Sequence, residues 1–396
     1  MAKLIDITGK ALSGEWGTDD EKGIGIPVLR TTNFTNEGVV DYTDVITRII
    51  TKKNLDEKYL KPGDIIIEKS GGSDKQPVGR VIYFDGPEKK YLFNNFTGLL
   101  RVKEPNRWFP KYVFYSLFGN YRRGGTRPFE NKTTGLHNLK TDDYVSRYEV
   151  KEAKYSKQIE ISEYLDKLYF IIKMREKELV ELDTLIKARF VEMFGDSENN
   201  TRNWPMFKLS ELCDIGSSKR IYQEEQTTDG VPFLRISDLV NKMDTGYANS
   251  GLYISHKKYN ELIDNNQVPM EGDILVTSRG TLGRCYIISE ADEFYFQDGM
   301  ISWLSKYKKG ITPLYIKHLF MTPGLTRQIE GMQAGSTVSY LSIAMLEKLD
   351  IMLPDYETQM QFEVFVKQVD KSKFAIQKAL AKTQTLFDSL MQEYFG

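Results

Sequence analysis

Cysteine is nearly absent from this chain, and with it the chemistry that staples or metallates small proteins. The 396 residues include two cysteines, Cys213 and Cys285, and three histidines. That excludes a disulfide framework and a cysteine zinc site, suits a reducing compartment, and leaves too few imidazoles for a histidine metal site. No apolar run approaches the roughly 18 residues that span a bilayer. The opening MAKLIDITGK has no apolar signal core, so the expectation is a cytoplasmic protein. Positive charge is not in excess either. Against 54 Lys and Arg stand 55 Asp and Glu, a net charge of −1. This argues against a surface coated for nucleic acid, yet a local basic patch can still hold phosphates.

Catalytic signatures are missing as well. The chain has no Gly-x-x-x-x-Gly-Lys-Ser/Thr loop, no Gly-x-Gly-x-x-Gly opening a helix and no His-Glu-x-x-His. The Asn-Pro-Pro-Tyr element of adenine methyltransferases is absent too. The expectation is a chain that binds no cofactor and performs no chemistry by itself.

What is present is periodicity. Between Lys157 and Gly195, Ile161, Leu165, Leu168, Ile172, Leu179, Leu182 and Ile186 recur three and four residues apart, with Arg175 and Arg189 in the same seam. This is the register of a coiled coil, and no Pro or Gly breaks it before Gly195. A single long helix cannot bury such a seam, so it needs a partner. The partner lies in the same chain, at residues 358–396. There Phe362, Val366, Val369, Ile376, Leu380, Phe387 and Leu390 keep step with the first set, and Gln359 matches Gln158.

The repetition extends beyond the helices. Gly25–Arg30 (G-I-P-V-L-R) returns as Gly230–Arg235 (G-V-P-F-L-R). Pro62–Gly71 returns as Glu271–Gly280, and Val78–Arg80 as Leu282–Arg284. Tyr112 matches Tyr315, and Leu139 matches Leu341. The chain is a tandem duplication, each half a globular part followed by a long helix. Strands are expected at Ile26–Arg30 and Val231–Arg235, at Ile65–Ile67 and Ile274–Val276 after Gly-Asp turns, and at Val78–Phe84 and Leu282–Ile288. Short helices are expected from Pro110 and Pro313. The class is therefore α+β. The loop Gly14–Gly23 has no close equivalent in the second half, and the polar run Asp196–Asn203 reads as a linker.

The polar clusters suit nucleic-acid contact. The densest basic stretch carries Arg122, Arg123 and Arg127, with Lys132 and His137 beyond. Its equivalent in the second half runs from Arg327 to Tyr340 with Gln333, Ser336, Thr337 and Ser339. Arg and Lys hold phosphates or guanine edges, and Gln can read adenine. A solvated surface loop is the competing reading. Arg30, Arg235, Arg80 and Arg284 fit a structural ion pair as well as a DNA contact. Lys69 and Arg279, beside a glycine at the end of a buried strand, are the better contact candidates.

Taken in order, these motifs resemble the specificity subunit of type I restriction-modification systems. The element Leu353–Gln359 (L-P-D-Y-E-T-Q) is similar to the one that opens the long helices of that family. The first half departs from it, with Tyr148–Gln158 in that place. The resemblance implies two target recognition domains, 1–155 and 204–355, each reading one half of a bipartite double-stranded DNA target. It implies that the helices, 156–196 and 356–396, pair antiparallel with pseudo-twofold symmetry, set the spacing of the domains and dock two methyltransferase subunits, with 197–203 as linker. S-adenosylmethionine, ATP and Mg are then expected on the partners, which include a motor-nuclease subunit in complexes that cleave DNA. A recognition subunit of a related type II or phage-defence methylase, and a scaffold that binds only proteins, are the alternatives.

Overall fold

Two compact units make up the chain in this computed structural model, which describes residues 1–133, 136–333 and 339–396. One unit takes Met1–Glu176 with Gln377–Gly396, and the other takes Lys177–Ile376. The division cuts through both long helices, Tyr155–Phe194 and Tyr356–Phe395, which begin two residues before the apolar registers read from Lys157 and Thr358, the first one residue before the expected 156–196 and the second at the start of the expected 356–396. Asp355 opens the second of them, accepting from the Thr358 amide (2.8 Å) and hydroxyl (2.9 Å) as an N-cap. Gly195 closes the first with φ +82°, a left-handed stop that side chains resist.

In the first unit a four-stranded antiparallel sheet runs in the order Leu12–Ser13, Thr97–Leu100, Ile65–Glu68, Val81–Tyr83. A second sheet runs Thr18–Asp19, Ile46–Ile49, Ile26–Leu29, Leu92–Phe93, its last pair parallel. The helix Pro110–Arg122 covers the first sheet, with Tyr112, Val113, Phe114 and Leu117 buried. The helix seam joins that same core: Ile161, Leu165, Leu168 and Ile172 pack with Leu380, Phe387 and Leu390. The two helix segments run antiparallel, because the Arg175 guanidinium reaches the Ala379 carbonyl (2.6 Å) and the Thr383 hydroxyl, while Ile161 and Phe395 pack at the far end.

The second unit repeats this order. Its first sheet runs Asp214–Ser217, Ile301–Ser305, Ile274–Thr277, Cys285–Ile287, and its second Gln226–Thr227, Tyr253–Ile254, Val231–Leu234, Tyr295–Phe296 with the last pair parallel. Leu182 and Ile186 share one core with Phe362, Val366 and Val369. Leu179 and Ile376 are only half-buried. Phe190 and Phe194, outside the seam read from sequence, are buried against Phe362 and Tyr315.

Twin anchors join each helix to its globular part. Gln158 accepts from the Phe109 amide (2.8 Å) and donates to the carbonyls of Arg107 and Ala153. Gln359 accepts from the Thr312 amide (2.9 Å) and donates to those of Gly310 and Pro354. The Tyr112 hydroxyl donates to the Lys151 carbonyl, and the Tyr315 hydroxyl to the Met352 carbonyl.

Two expectations from the sequence are corrected. The loop Gly14–Gly23 does have a counterpart, since Thr18–Asp19 borders its sheet as Gln226–Thr227 borders the other. The strand expected over Val78–Phe84 is confined to Val81–Tyr83, because Gly79 sits at φ +102° and Arg80 turns inward. The first long helix, lacking a Leu-Pro element, is entered by the same route as the second: Glu149–Val150 pairs with Ala2–Lys3, and Asp350–Met352 with Met206–Lys208.

Two measurements follow. Replacing Gln158 or Gln359 with Ala strands a buried amide and two carbonyls, and should cost about 2–3 kcal/mol in urea unfolding; a loss below about 0.5 kcal/mol would show that the anchors are ornamental. His318 packs between Phe190 and Phe362. Burial, aided by Lys317 and Lys373 and opposed by Asp183, holds its pKa down from 6.5 to about 4. The unfolded chain therefore binds a proton that the folded chain refuses. Stability is full above pH 6.5 and falls towards pH 4, by up to about 3 kcal/mol from this group. His318→Gln should flatten that part of the acid slope; an unchanged slope would remove His318 as its source.

Candidate functional site

The sequence offered fifteen residues for nucleic-acid contact, and the fold sorts them by what already holds them. Arg80 points inside, 13% exposed, where its guanidinium donates to the carbonyls of Phe34 (2.8 Å) and Thr31 (3.0 Å) and lies 3.4 Å from Glu68. Glu68 is buried, which pushes its carboxyl pKa up against the pull of Arg80. His137 is 5% exposed and bridges Glu130, 3.1 Å from Nδ1, and Asp74, 3.6 Å from Nε2. Glu130 in turn accepts from the Val78 amide. These side chains hold the loop between Gly72 and Val78 to the unit.

The basic stretch faces the second long helix. Arg122 pairs with Asp388 at 3.0 Å, and Arg123 donates to the Phe395 carbonyl at the end of that helix, where a cation also meets the negative end of the helix dipole. Arg127 is exposed. The side chain of Lys132 lies outside the described residues, as do Ser336 and Thr337. In the second unit Arg284 pairs with Asp244, and Arg327 with Glu198. Ser339 is exposed.

Lys69 and Arg279 stand differently. Lys69 follows the buried strand Ile65–Glu68 and lines an open cleft of about 570 Å³ with Ser13, Ser70, Asn95, Phe96 and Asn138. Its ammonium donates to the Ser13 hydroxyl at 3.0 Å. Burial lowers its pKa, with Lys58 adding to this and Asp142 opposing it, so a further anion would relieve a desolvated charge. Phe96, at the turn between two strands, is 51% exposed.

In the second unit Arg279 follows Ile274–Thr277, and its guanidinium lies 5.7 Å from the Tyr340 ring centre. The Tyr340 hydroxyl donates to the Gly299 carbonyl at 3.0 Å. Gln333 closes the site by exchanging two hydrogen bonds with the Tyr340 backbone, each 2.9 Å.

Sequence reading missed Phe96, Asn95 and Ser13. A signal existed for Phe96: one aromatic stranded after Asn94-Asn95, between the apolar runs Tyr91–Phe93 and Leu99–Leu100. Among the described residues no group of three or more His, Cys, Asp or Glu is placed to hold a metal. No helix among them is long and apolar enough to cross a membrane.

Comparisons with known proteins agree on one family. The model of the type I restriction modification DNA specificity domain matches the chain twice, over residues 1–183 and 201–384. A Haemophilus influenzae protein named "Putative type I restriction enzyme specificity subunit" is 29% identical over 158 residues, which cover 39% of this chain and 38% of that relative. The chain thus matches well under half the length of this curated relative. Among solved structures, the S subunit of a type I restriction-modification system from M. genitalium superposes with a TM-score of 0.59 at 15% identity, over 100% of this chain and 95% of the other. A chain from a structure of a type I R-M system described in terms of complex assembly and conformational transition gives 0.57 at 13% identity, over 100% and 96%. At these identities the two structures speak for the fold.

The sorting of arginines is measurable. Arg80→Met breaks a largely buried network and should cost about 3 kcal/mol, whereas Arg127→Ala should stay within about 0.5 kcal/mol. Equal losses in urea unfolding would overturn the division between internal and surface roles.

Proposed function

The chain belongs to the type I restriction modification DNA specificity family, a family of non-catalytic subunits, and from that premise we propose that each of its two units reads one half of a bipartite double-stranded DNA target. The observation that carries this reading is one scaffold built twice, with different polar side chains at the same strand ends. Lys69 lines that place in the first unit, and Arg279 in the second. Arg127 is exposed and, among the described residues, has neither the helix partner of Arg122 nor that of Arg123. Arg122 and Arg123 are committed to the second long helix, and contact DNA less readily than their charge suggests.

On this reading the recognition domains comprise 1–155 and 204–355, and the long helices dock two methyltransferase subunits. Support for docking comes from large apolar side chains on the helices that the chain leaves bare, among them Phe170 (64% exposed) and Phe374 (68%). S-adenosylmethionine belongs to those partners, and ATP with Mg to a motor-nuclease subunit, in the cytoplasm. The chain selects where they act.

The test is an exchange. Residues 1–155 are replaced with the corresponding part of another such subunit, and the methylome is sequenced in cells that also carry the methyltransferase. One half of the methylated motif should change while the other keeps its bases. Simultaneous change of both halves, or of neither, would defeat the reading.

A further inference from the structure

The ends of the central strands form the same small backbone frame in both units. In the first, the Lys69 amide donates to the Phe96 carbonyl at 2.8 Å, the Ser70 amide reaches the same oxygen at 3.2 Å, and the Leu139 amide donates to the Lys69 carbonyl at 2.8 Å. In the second, the Ser278 amide donates to the Met300 carbonyl at 2.9 Å, and the Leu341 amide to the Ser278 carbonyl at 3.0 Å. Three segments are thereby locked together by equivalent bonds. The residues beneath are alike in being buried: Ile65–Glu68 and Ile274–Thr277 throughout, and Leu139 and Leu341.

At the side chains of this frame, of which Ser278 is itself buried, the chemistry diverges. Lys69 is answered by Ser278, Ser70 by Arg279, Phe96 by Met300, and Asn138 by Tyr340. Charge, size and hydrogen-bonding groups all change while the backbone bonds stay. The bonds join main-chain amides and carbonyls, so they hold whatever side chains these positions carry. A reading role would demand a fixed frame with interchangeable side chains.

We propose that this frame carries the specificity-determining side chains of each unit: Lys69, Phe96 and Asn138 in the first, and Arg279, positioned by Tyr340, in the second. The proposal rests on the DNA-reading function above and assigns it to particular residues. The ligand is the base edge of duplex DNA. An Arg fork matches the O6 and N7 acceptors of guanine, a Lys ammonium meets the same atoms singly, an Asn amide matches adenine, and an exposed Phe meets a thymine methyl. Arg279 is the sharpest case. Its guanidinium lies near a ring that is fixed at the hydroxyl by Gly299 and at the backbone by Gln333. A pre-positioned fork loses little freedom when it binds. The second half-site therefore contains a guanine that Arg279 reads.

The experiment uses the complex of this chain with its methyltransferase subunits, a randomised duplex DNA pool and methylome sequencing. Arg279→Ala should abolish preference at one G·C pair of the second half-site, by about 5- to 150-fold, and leave the first half-site intact. Tyr340→Phe, which keeps the ring and the Gln333 bonds to its backbone but loses the bond to Gly299, should weaken that preference less than Tyr340→Ala does. Lys69→Ala and Phe96→Ala should alter only the first half-site. Arg279 and Phe96 are exposed, so folding is expected to survive, with thermal melting as the control. A uniform loss of affinity for every sequence, with the slope of log K against log salt shallower by about one unit, would make Arg279 a phosphate contact and overturn the proposal. An unchanged motif would overturn it too. The 1–155 exchange separates the two levels. If the exchange changes a half-site and these variants do not, the frame is wrong and reading by units stands. If the exchange also leaves the motif unchanged, the reading itself fails.

Discussion

Burial of the helix seam is the constraint on which the rest depends. A 40-residue amphipathic helix in water exposes a stripe of Leu and Ile that it cannot cover. Here the stripe is not covered by helix alone. Within each unit, segments of both long helices merge with the core of a globular part: Ile161 and Leu165 with Tyr112 and Phe395, and Phe362 with Phe190 and Tyr315. The helices are thus structural members of the units as well as partners for one another. Gln158 and Gln359 extend this coupling to the backbone, because each fixes the loop leading into a Pro-initiated helix. The polar surface above can vary freely only because this lower layer is held.

Duplication shows what that layer conserves. The equivalent bonds run through buried or backbone groups: the glutamine anchors, the Tyr112 and Tyr315 hydroxyls, and the Asp64 and Asp273 turns, which accept from the Lys61 and Met270 amides. Between the units, buried apolar positions exchange one apolar side chain for another, as Ile66 for Leu275 and Leu165 for Val366, while changes of charge fall on polar positions. Arg101 clasps Asp64 in one unit, and the Trp303 indole donates to Asp273 in the other. Different side chains thereby satisfy the same buried carboxylate, so covariation can hide a common role. For a specificity family this separation is functional, since the scaffold must stay constant while the reading surface changes.

Local charge density does not say which cations are free. The Arg122–Arg127 stretch is the most basic in the chain, yet two of its arginines neutralise Asp388 and cap the end of the second long helix. Arg80 is drawn inward by a buried glutamate. Lys69 and Arg279, each beside a glycine after a buried strand, lie instead beside Phe96 and Tyr340. An arginine can reach a partner far away in sequence, so the local count of cations leaves open which of them is engaged.

The sequence by itself determined the repeat, the α+β class, both long helices and the strands at Ile26, Ile65, Val231 and Ile274. These follow from short-range periodicity and turn residues, which local physics sets. It also identified the family, because the order of motifs along the chain survives where each motif alone is weak. The tertiary structure decided which polar residues are free to act. Phe96 becomes an exposed side chain on a clamped turn because the Lys69 and Ser70 amides, far away in sequence, bind its carbonyl. Arg123 is spent on Phe395, and His137 is enclosed by Glu130. Those assignments depend on partners brought together only by folding, and no pattern within a window of sequence contains them.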